Sequence, residues 1–324
     1  MPLKSRTITF QEFFREVQEE VWREIEHNIH DEDMLYALEG GKMLRPAMLM
    51  LSFRACDGAD EYYRYALESA MGMELAHSAS LIHDDIMDGD DERRGKLALH
   101  VVKGLGTAIL TGHKMISTAF RISLSHGMEN AWIFLNTWEE TLIGQLKDID
   151  LNAHLEDFLN GHEPEKLLQE YFKIIEMKTA SLFATACRAG AIEAKANEEL
   201  RELMRLYGRE VGMAYQLADD LVDIANGKLE EGIIIPLIRA YGKNIRRELL
   251  EMLKENGTHI LEEVLSKNGF DLKKVYLEEI RKRIASAVEL ASSPLIPDTP
   301  YKELLKEAPA YIVNAMISNV DMVV

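Results

Sequence analysis

The residues best equipped for chemistry are two aspartate clusters. SLIHDDIMDGDDERRG spans residues 80 to 95, AYQLADDLVDIANG spans 214 to 227, and each contains the pattern DDxxD. On a helix, residues four apart lie one turn apart on one face, so Asp84 projects with Asp88, and Asp219 with Asp223. Like charges at this spacing repel, and the negative end of a helix dipole makes it worse. A divalent cation removes the conflict. Carboxylate oxygens suit a hard ion, and magnesium commonly takes one or two protein carboxylates while phosphate oxygens and water complete its octahedron. A lone DDxxD in an acidic chain reads as a solvated helix end. Here both copies follow apolar helical segments, MGMELAHSASLI and VGMAYQLA, which a solvated face does not require. Two such helix ends facing one another would clamp a diphosphate through shared metal ions.

Cations beside glycines complete that chemistry. GGKMLRP at 40 to 46 and RRG at 93 to 95 supply Lys42, Arg45, Arg93 and Arg94 where the backbone can approach an anion closely. His77 lies two turns before Asp84, placed either as a core histidine or against a second substrate. Lys178 and Thr179 close an apolar helical stretch, and a buried lysine needs an anionic partner. In GQLKDIDL, Gln145 and Asp148 are one turn apart; each could hold such a lysine or line the cation site.

The elements that position these groups are helices. Phe10, Phe13, Phe14, Val17 and Val21 recur at three- and four-residue steps, as do later stretches rich in Leu, Met, Ala and Glu. The run IIIPLI at 233 to 238 resembles a strand, but Pro236 marks it as the start of a helix. The pattern predicts ten or more helices, with loops near 38–42, 88–99, 104–107, 160–165, 225–235, 255–258 and 292–300. A hydrophobic fraction of 47% with only 8 prolines permits a sizeable core and long unbroken helices, so disorder is excluded. No linker-like break divides the chain, which predicts one domain over residues 1–324.

A formal charge of -18 makes the general surface repel phosphate backbones, so nucleic acid is not an expected partner. Cys56 and Cys187 are too few for a disulfide framework or a thiolate metal site and fit a reducing compartment. No segment approaches eighteen uncharged apolar residues. The expectation is a cytoplasmic protein without a signal peptide or transmembrane segment.

Taken in order and spacing, GGKMLRP, HSASLIHDDIMDGDDERRG, GQLKD, MKT and YQLADDLVD resemble the trans-isoprenyl diphosphate synthases, most closely the geranylgeranyl and longer polyprenyl branch. The resemblance spans roughly residues 35 to 240. It implies an all-α protein, a single large helical bundle around a deep central cavity, acting as a homodimer with three magnesium ions per active site. It also implies the reaction: an allylic diphosphate ionises and is condensed head to tail with isopentenyl diphosphate. By the same resemblance, Asp84, Asp85, Asp88, Asp219 and Asp223 handle metal, with Asp220 beside them. Arg93, Lys178 and Gln216 hold the allylic diphosphate; Lys42, Arg45, His77 and Arg94 hold isopentenyl diphosphate; Thr179, Gln145 and Asp148 line the reacting centre.

Two departures stand out. The loop after the second cluster, NGKLEEGIIIP, is shorter than the family's and keeps only Lys228 of its glycine-lysine pairs, so Lys228 is the candidate replacement. His113, in TGHK, stands where the family commonly has an aspartate. The product channel should run along the helix that ends in the first cluster, past Ser80, Ala79, Ala76 or His77, and Met73. Farnesyl-forming relatives block this channel with an aromatic residue one turn above the motif; Ala79 and Ser80 leave it open. Met73 lies about 16 Å along the helix from Asp84, which predicts a twenty-carbon product, with longer chains next. A neighbouring helix around Met115 to Phe120 is the alternative floor. The competing readings are a class I terpene cyclase, which GGKMLRP and RRG argue against, and a weakly active regulatory subunit, which the short loop and His113 suggest.

Overall fold

A computed structural model describes residues 8–153, 164–225 and 272–318. The described chain is helical: α1 (Phe10–Asn28), α2 (Glu32–Leu38), α3 (Leu44–Ala55), α4 (Tyr63–Asp88), α5 (Leu99–Lys103), α6 (Leu105–Ser125), α7 (Met128–Ala153) and α8 (Pro164–Ile175). A π-helical turn (Glu176–Ala180) leads into α9 (Ser181–Glu193), followed by α10 (Glu198–Ala225), α11 (Leu272–Ala291) and α12 (Pro300–Ile317). The one sheet among the described residues is a two-residue antiparallel ladder, β1 (Glu92–Arg93) with β2 (Lys96–Leu97). The all-α expectation is met. The expected loops at 38–42, 88–99 and 292–300 fall between helices, and Gly104 separates α5 from α6. The IIIPLI run, Lys228 and the loop around 255–258 lie outside the described residues.

The chain divides into two compact units, one of residues 1–137, 182–208 and 291–307, the other of residues 138–181, 209–290 and 308–324. In the first, α1 starts with a reciprocal capping box: Glu12 N–H donates to Thr9 Oγ1 at 3.2 Å, and Thr9 N–H to Glu12 Oε2 at 3.0 Å. Its buried Phe10, Phe13, Val17 and Val21 are from the periodic set read from the sequence, Ile25 extends it, and Phe14 is half-buried, its ring stacked on Phe10. Helix α3 is buried from Arg45 to Phe53, which fits its uniformly apolar composition and makes it the centre of this unit. Helix α4, which carries the first aspartate cluster, packs most extensively on α6 and next on α3.

A buried polar cluster ties four helices of this unit at the end of α6. His126 Nδ1 lies 2.9 Å from Glu193 Oε1 and 2.9 Å from Ser69 Oγ, and Nε2 lies 3.1 Å from Glu68 Oε2. Asn130 Nδ2 also donates to Glu193, at 3.1 Å, and the Tyr65 ring meets the imidazole edge-on. Burial opposes the imidazolium, but Glu193 and Glu68 outweigh it and raise the His126 pKa. A raised folded-state pKa gives stability that is complete below the unfolded-state value of about 6.5 and is lost as pH climbs through the folded value. The gap in Tm between wild type and His126→Asn is therefore expected to be widest near pH 6 and to shrink toward about pH 9. Thermal melts at both pH values check this; a pH-independent gap would mean His126 is neutral throughout.

In the second unit, Gly144 of α7 sets the approach to the π-helical turn. A Cβ at Gly144 would lie 2.8 Å from Lys178 N and 2.8 Å from Met177 Cβ, so only glycine lets these backbones meet. The π geometry itself widens one turn of helix around Lys178 and Thr179, a feature frequent at functional sites.

Candidate active site

The first aspartate cluster closes α4. Asp84 is half-buried and Asp88 exposed, one turn apart at the helix end, while Asp85 is 3% exposed and turned inward. Arg93 Nε donates to Asp85 Oδ1 at 2.6 Å, and Arg93 Nη2 reaches Asp90 Oδ2 at 3.3 Å. Burial raises the Asp85 pKa against the opposing pull of Arg93. The RRG motif is the hairpin: Arg93 ends β1, and Arg94 (φ 56°) with Gly95 (φ 74°) form a two-residue turn that needs positive φ at both positions. Arg94 therefore points inward. Its Nη1 donates to Ala37 O at 3.0 Å and Leu38 O at 3.1 Å, and its Nη2 to Glu74 Oε1 at 3.2 Å and Ser78 Oγ at 3.3 Å.

Arg45, at the start of α3, is 6% exposed, lies over the Phe183 ring and places Nη1 2.9 Å from His77 Nε2. Burial, then Arg45, Arg94 and Arg93, push the His77 pKa well below its ordinary value, so the ring is neutral. Arginine only donates; Nε2 must accept, and the proton sits on Nδ1, which is buried and makes no hydrogen bond in the structure. Lys42 is exposed on the loop before α3, and its carbonyl accepts from Gln18. His77 is thus neither a plain core histidine nor isolated: it belongs with Arg45, as the sequence allowed.

Along α4, Met73, His77, Ser80 and Asp84 share one half-buried face, whereas Ala76 is 3% exposed and Ala79 fully buried. His113 is exposed on α6, its ring centroid 5.3 Å from that of His83, the residue before Asp84.

The second cluster lies on α10. Asp219 and Asp223 are half-buried, and Asp220 is 2% exposed. Both oxygens of Asp220 are engaged: Oδ1 accepts from Gln216 Nε2 at 2.9 Å and Oδ2 from the buried Tyr171 hydroxyl. Thr179 Oγ1 donates to Gln216 Oε1 at 2.6 Å, so α8, the π turn and α10 share one hydrogen-bonded chain. Lys178 Nζ donates to Asp148 Oδ2 at 2.8 Å, so Asp148 holds this lysine. Gln145 is half-buried one turn before it on α7.

Among the described residues, no three His, Cys, Asp or Glu side chains gather into a closed metal site. The carboxylates come as helix-face pairs, Asp84 with Asp88 and Asp219 with Asp223, and such a donor set fits magnesium shared with phosphate oxygens rather than an all-protein cage. Glu74 and Tyr171 were not singled out from sequence. Glu74 sits in an apolar helical run and Tyr171 seven residues before Lys178, so a charge inside MGMELAHSASLI was the available signal for the first and none existed for the second.

This all-α chain, carrying two paired-carboxylate helices, has the isoprenoid synthase fold. Residues 27–234 match the family model described as polyprenyl synthetase, and the chain belongs to that family, whose enzymes are trans-isoprenyl diphosphate synthases. A geranylgeranyl diphosphate synthase of Methanosarcina mazei is 30% identical over 295 residues, covering 85% of this chain and 86% of that one. An octaprenyl diphosphate synthase of Escherichia coli is 30% identical over 284 residues, covering 82% and 83%. The crystal structure of a polyprenyl synthase from Caulobacter crescentus, complexed with calcium and isoprenyl diphosphate, shares the fold at a TM-score of 0.77 and 24% identity, covering 96% of this chain and 99% of that one. No helix among the described residues is long and apolar enough to cross a membrane.

Proposed function

We propose that this chain condenses an allylic diphosphate with isopentenyl diphosphate, head to tail, and releases chiefly geranylgeranyl diphosphate. The observation that carries this reading is the pairing of a carboxylate helix end, Asp84 and Asp88, with a separate cationic cluster of Arg45 and a neutral His77 on the same unit. A cyclase needs the first and has no use for the second. Asp84, Asp85, Asp88, Asp219 and Asp223 hold the magnesium ions, three by family resemblance. Bound magnesium neutralises charge that develops on the departing diphosphate.

The chain's own groups do the rest. Arg93, Lys178 and Gln216 orient the allylic diphosphate, with Lys228 as a further candidate. Lys178 is held by Asp148 and Gln216 by Thr179 and Asp220, so both are preorganised before substrate arrives. Lys42, Arg45, His77 and Arg94 receive isopentenyl diphosphate, and the Nδ1–H of His77 offers it an unspent donor. The isopentenyl double bond attacks the allylic cation, and the proton then lost goes to the released diphosphate. Apolar walls must exclude water, which would otherwise capture the cation.

The active species is a homodimer in this reading. Trp132, Leu135, Leu142, Ile143, Leu146 and Ile149 expose an apolar stripe at helical spacing along α7, as an interface between copies requires. The reaction is tested with purified protein, magnesium, dimethylallyl, geranyl or farnesyl diphosphate and labelled isopentenyl diphosphate, products being separated by length. Linear twenty-carbon diphosphate is expected; cyclised hydrocarbons, or no turnover with any primer, would overturn the proposal.

A further inference from the structure

We propose that Glu74 is a positioning residue for the isopentenyl diphosphate site, one buried carboxylate that sets the geometry of Lys42, Arg45, His77 and Arg94 together; this rests on the function proposed above. Glu74 is 1% exposed on α4. Its Oε1 accepts from Arg94 Nη2 at 3.2 Å and from Ser78 Oγ at 3.3 Å. Through Arg94 it reaches the last turn of α2, because the same guanidinium holds the carbonyls of Ala37 and Leu38. The loop that follows sits directly on this pair. A Cβ on Gly41 would lie 2.6 Å from Glu74 Oε1 and 3.1 Å from Arg94 Nη1, so the absent side chain at Gly41 is the space the carboxylate and guanidinium occupy. Lys42 is the next residue and Arg45 begins the helix beyond it.

His77 lies three residues after Glu74 on the same helix and meets Arg45 at 2.9 Å. Glu74 is also the counter-charge of this buried group. Burial drives its pKa upward while Arg94 and Arg45 pull the other way. The hairpin turn holds Arg94 in a left-handed backbone, φ 56°, and Glu74, with the carbonyls of Ala37 and Leu38, fixes the guanidinium that this turn directs inward. The carboxylate touches no reacting atom; it acts by fixing the residues that hold isopentenyl diphosphate.

Glu74→Gln keeps the side chain's size and one acceptor and removes the charge. The KM for isopentenyl diphosphate is expected to rise about tenfold, with kcat and the KM for the allylic diphosphate each changing less than about threefold. A merely structural role would lower Tm and leave the two KM values moving together. Titration calorimetry of isopentenyl diphosphate without an allylic partner gives a readout independent of turnover and should show the same weakening. Equal isopentenyl affinity in wild type and variant would overturn the role of Glu74 alone, whereas a wild-type protein that binds neither diphosphate would overturn the synthase reading itself. Should Glu74→Gln not fold, Ser78→Ala removes one hydrogen bond to the same oxygen and carries the test: an isopentenyl KM raised about two- to threefold supports the role, and an unchanged one overturns it.

Discussion

Asp84→Asn and Asp88→Asn should each lower kcat by about a thousandfold, while the folded state keeps its Tm to within a few degrees. The two carboxylates stand one turn apart at the end of α4, where each repels the other and both oppose the helix dipole. Removing one charge removes a ligand from the proposed metal site. Activity should fall while stability changes little, which separates a ligand from a structural residue. Asp85 provides the internal comparison. Its carboxylate is buried and bonded to Arg93, so Asp85→Asn breaks that ion pair, leaves the half-buried guanidinium with Asp90, and should lower Tm as well as activity. Steady-state kinetics across a magnesium titration checks the assignment: at Asp84 and Asp88 the metal concentration for half-maximal rate should rise. Full activity in Asp84→Asn at ordinary magnesium would remove the first cluster from the chemistry.

Helical periodicity made the architecture legible because apolar spacing decides which face of a helix is buried, as in α1, while the near-continuous apolar run of α3 marked it as buried on all sides. The aspartate pairs stood out for a related reason: like charges at i and i+4 repel, and two copies that each follow an apolar helical segment are the pattern that suggests a cation. What spacing could not show is which member of a motif faces inward. DDxxD looks alike at its first and second positions, yet Asp85 and Asp220 are buried and bonded to Arg93 and to Tyr171 with Gln216, while Asp84, Asp88, Asp219 and Asp223 stay accessible to differing degrees. Arg94 is the same lesson at a turn. RRG suggests two free cations, but a two-residue hairpin puts Arg94 in the left-handed region and turns its guanidinium onto α2 and Glu74. Asp85 and Arg93 are only 8 positions apart and Gln216 and Asp220 only 4, but Tyr171 lies 49 from Asp220 and Arg94 lies 20 from Glu74 and 57 from Ala37, and no local pattern records those longer pairings.

Ser80→Phe should shift the main product from twenty carbons to fifteen or fewer, and Ala79→Phe should not be an equivalent test. The two positions looked interchangeable from sequence, both small and one turn above the aspartates. Ser80 shares the half-buried face of α4 with Met73, His77 and Asp84, and its hydroxyl is turned back onto His77 O at 2.7 Å. Ala79 is fully buried, so a phenyl ring there must displace packed neighbours at a cost of about 1–3 kcal/mol or more. At Ser80 the ring would project about 6 Å along the helix from Asp84, against about 16 Å at Met73, where the face next offers a large side chain. A growing chain gains about 4–5 Å with each isoprene unit, so the roughly 10 Å shorter distance stops growth about two additions earlier. Product analysis with labelled isopentenyl diphosphate reads the change directly, with total turnover kept within about tenfold because the diphosphate-binding groups are untouched. An unaltered twenty-carbon product from a folded Ser80→Phe enzyme would place the growing chain away from this face, and the stretch of α6 from Met115 to Phe120 would then be the segment to substitute next.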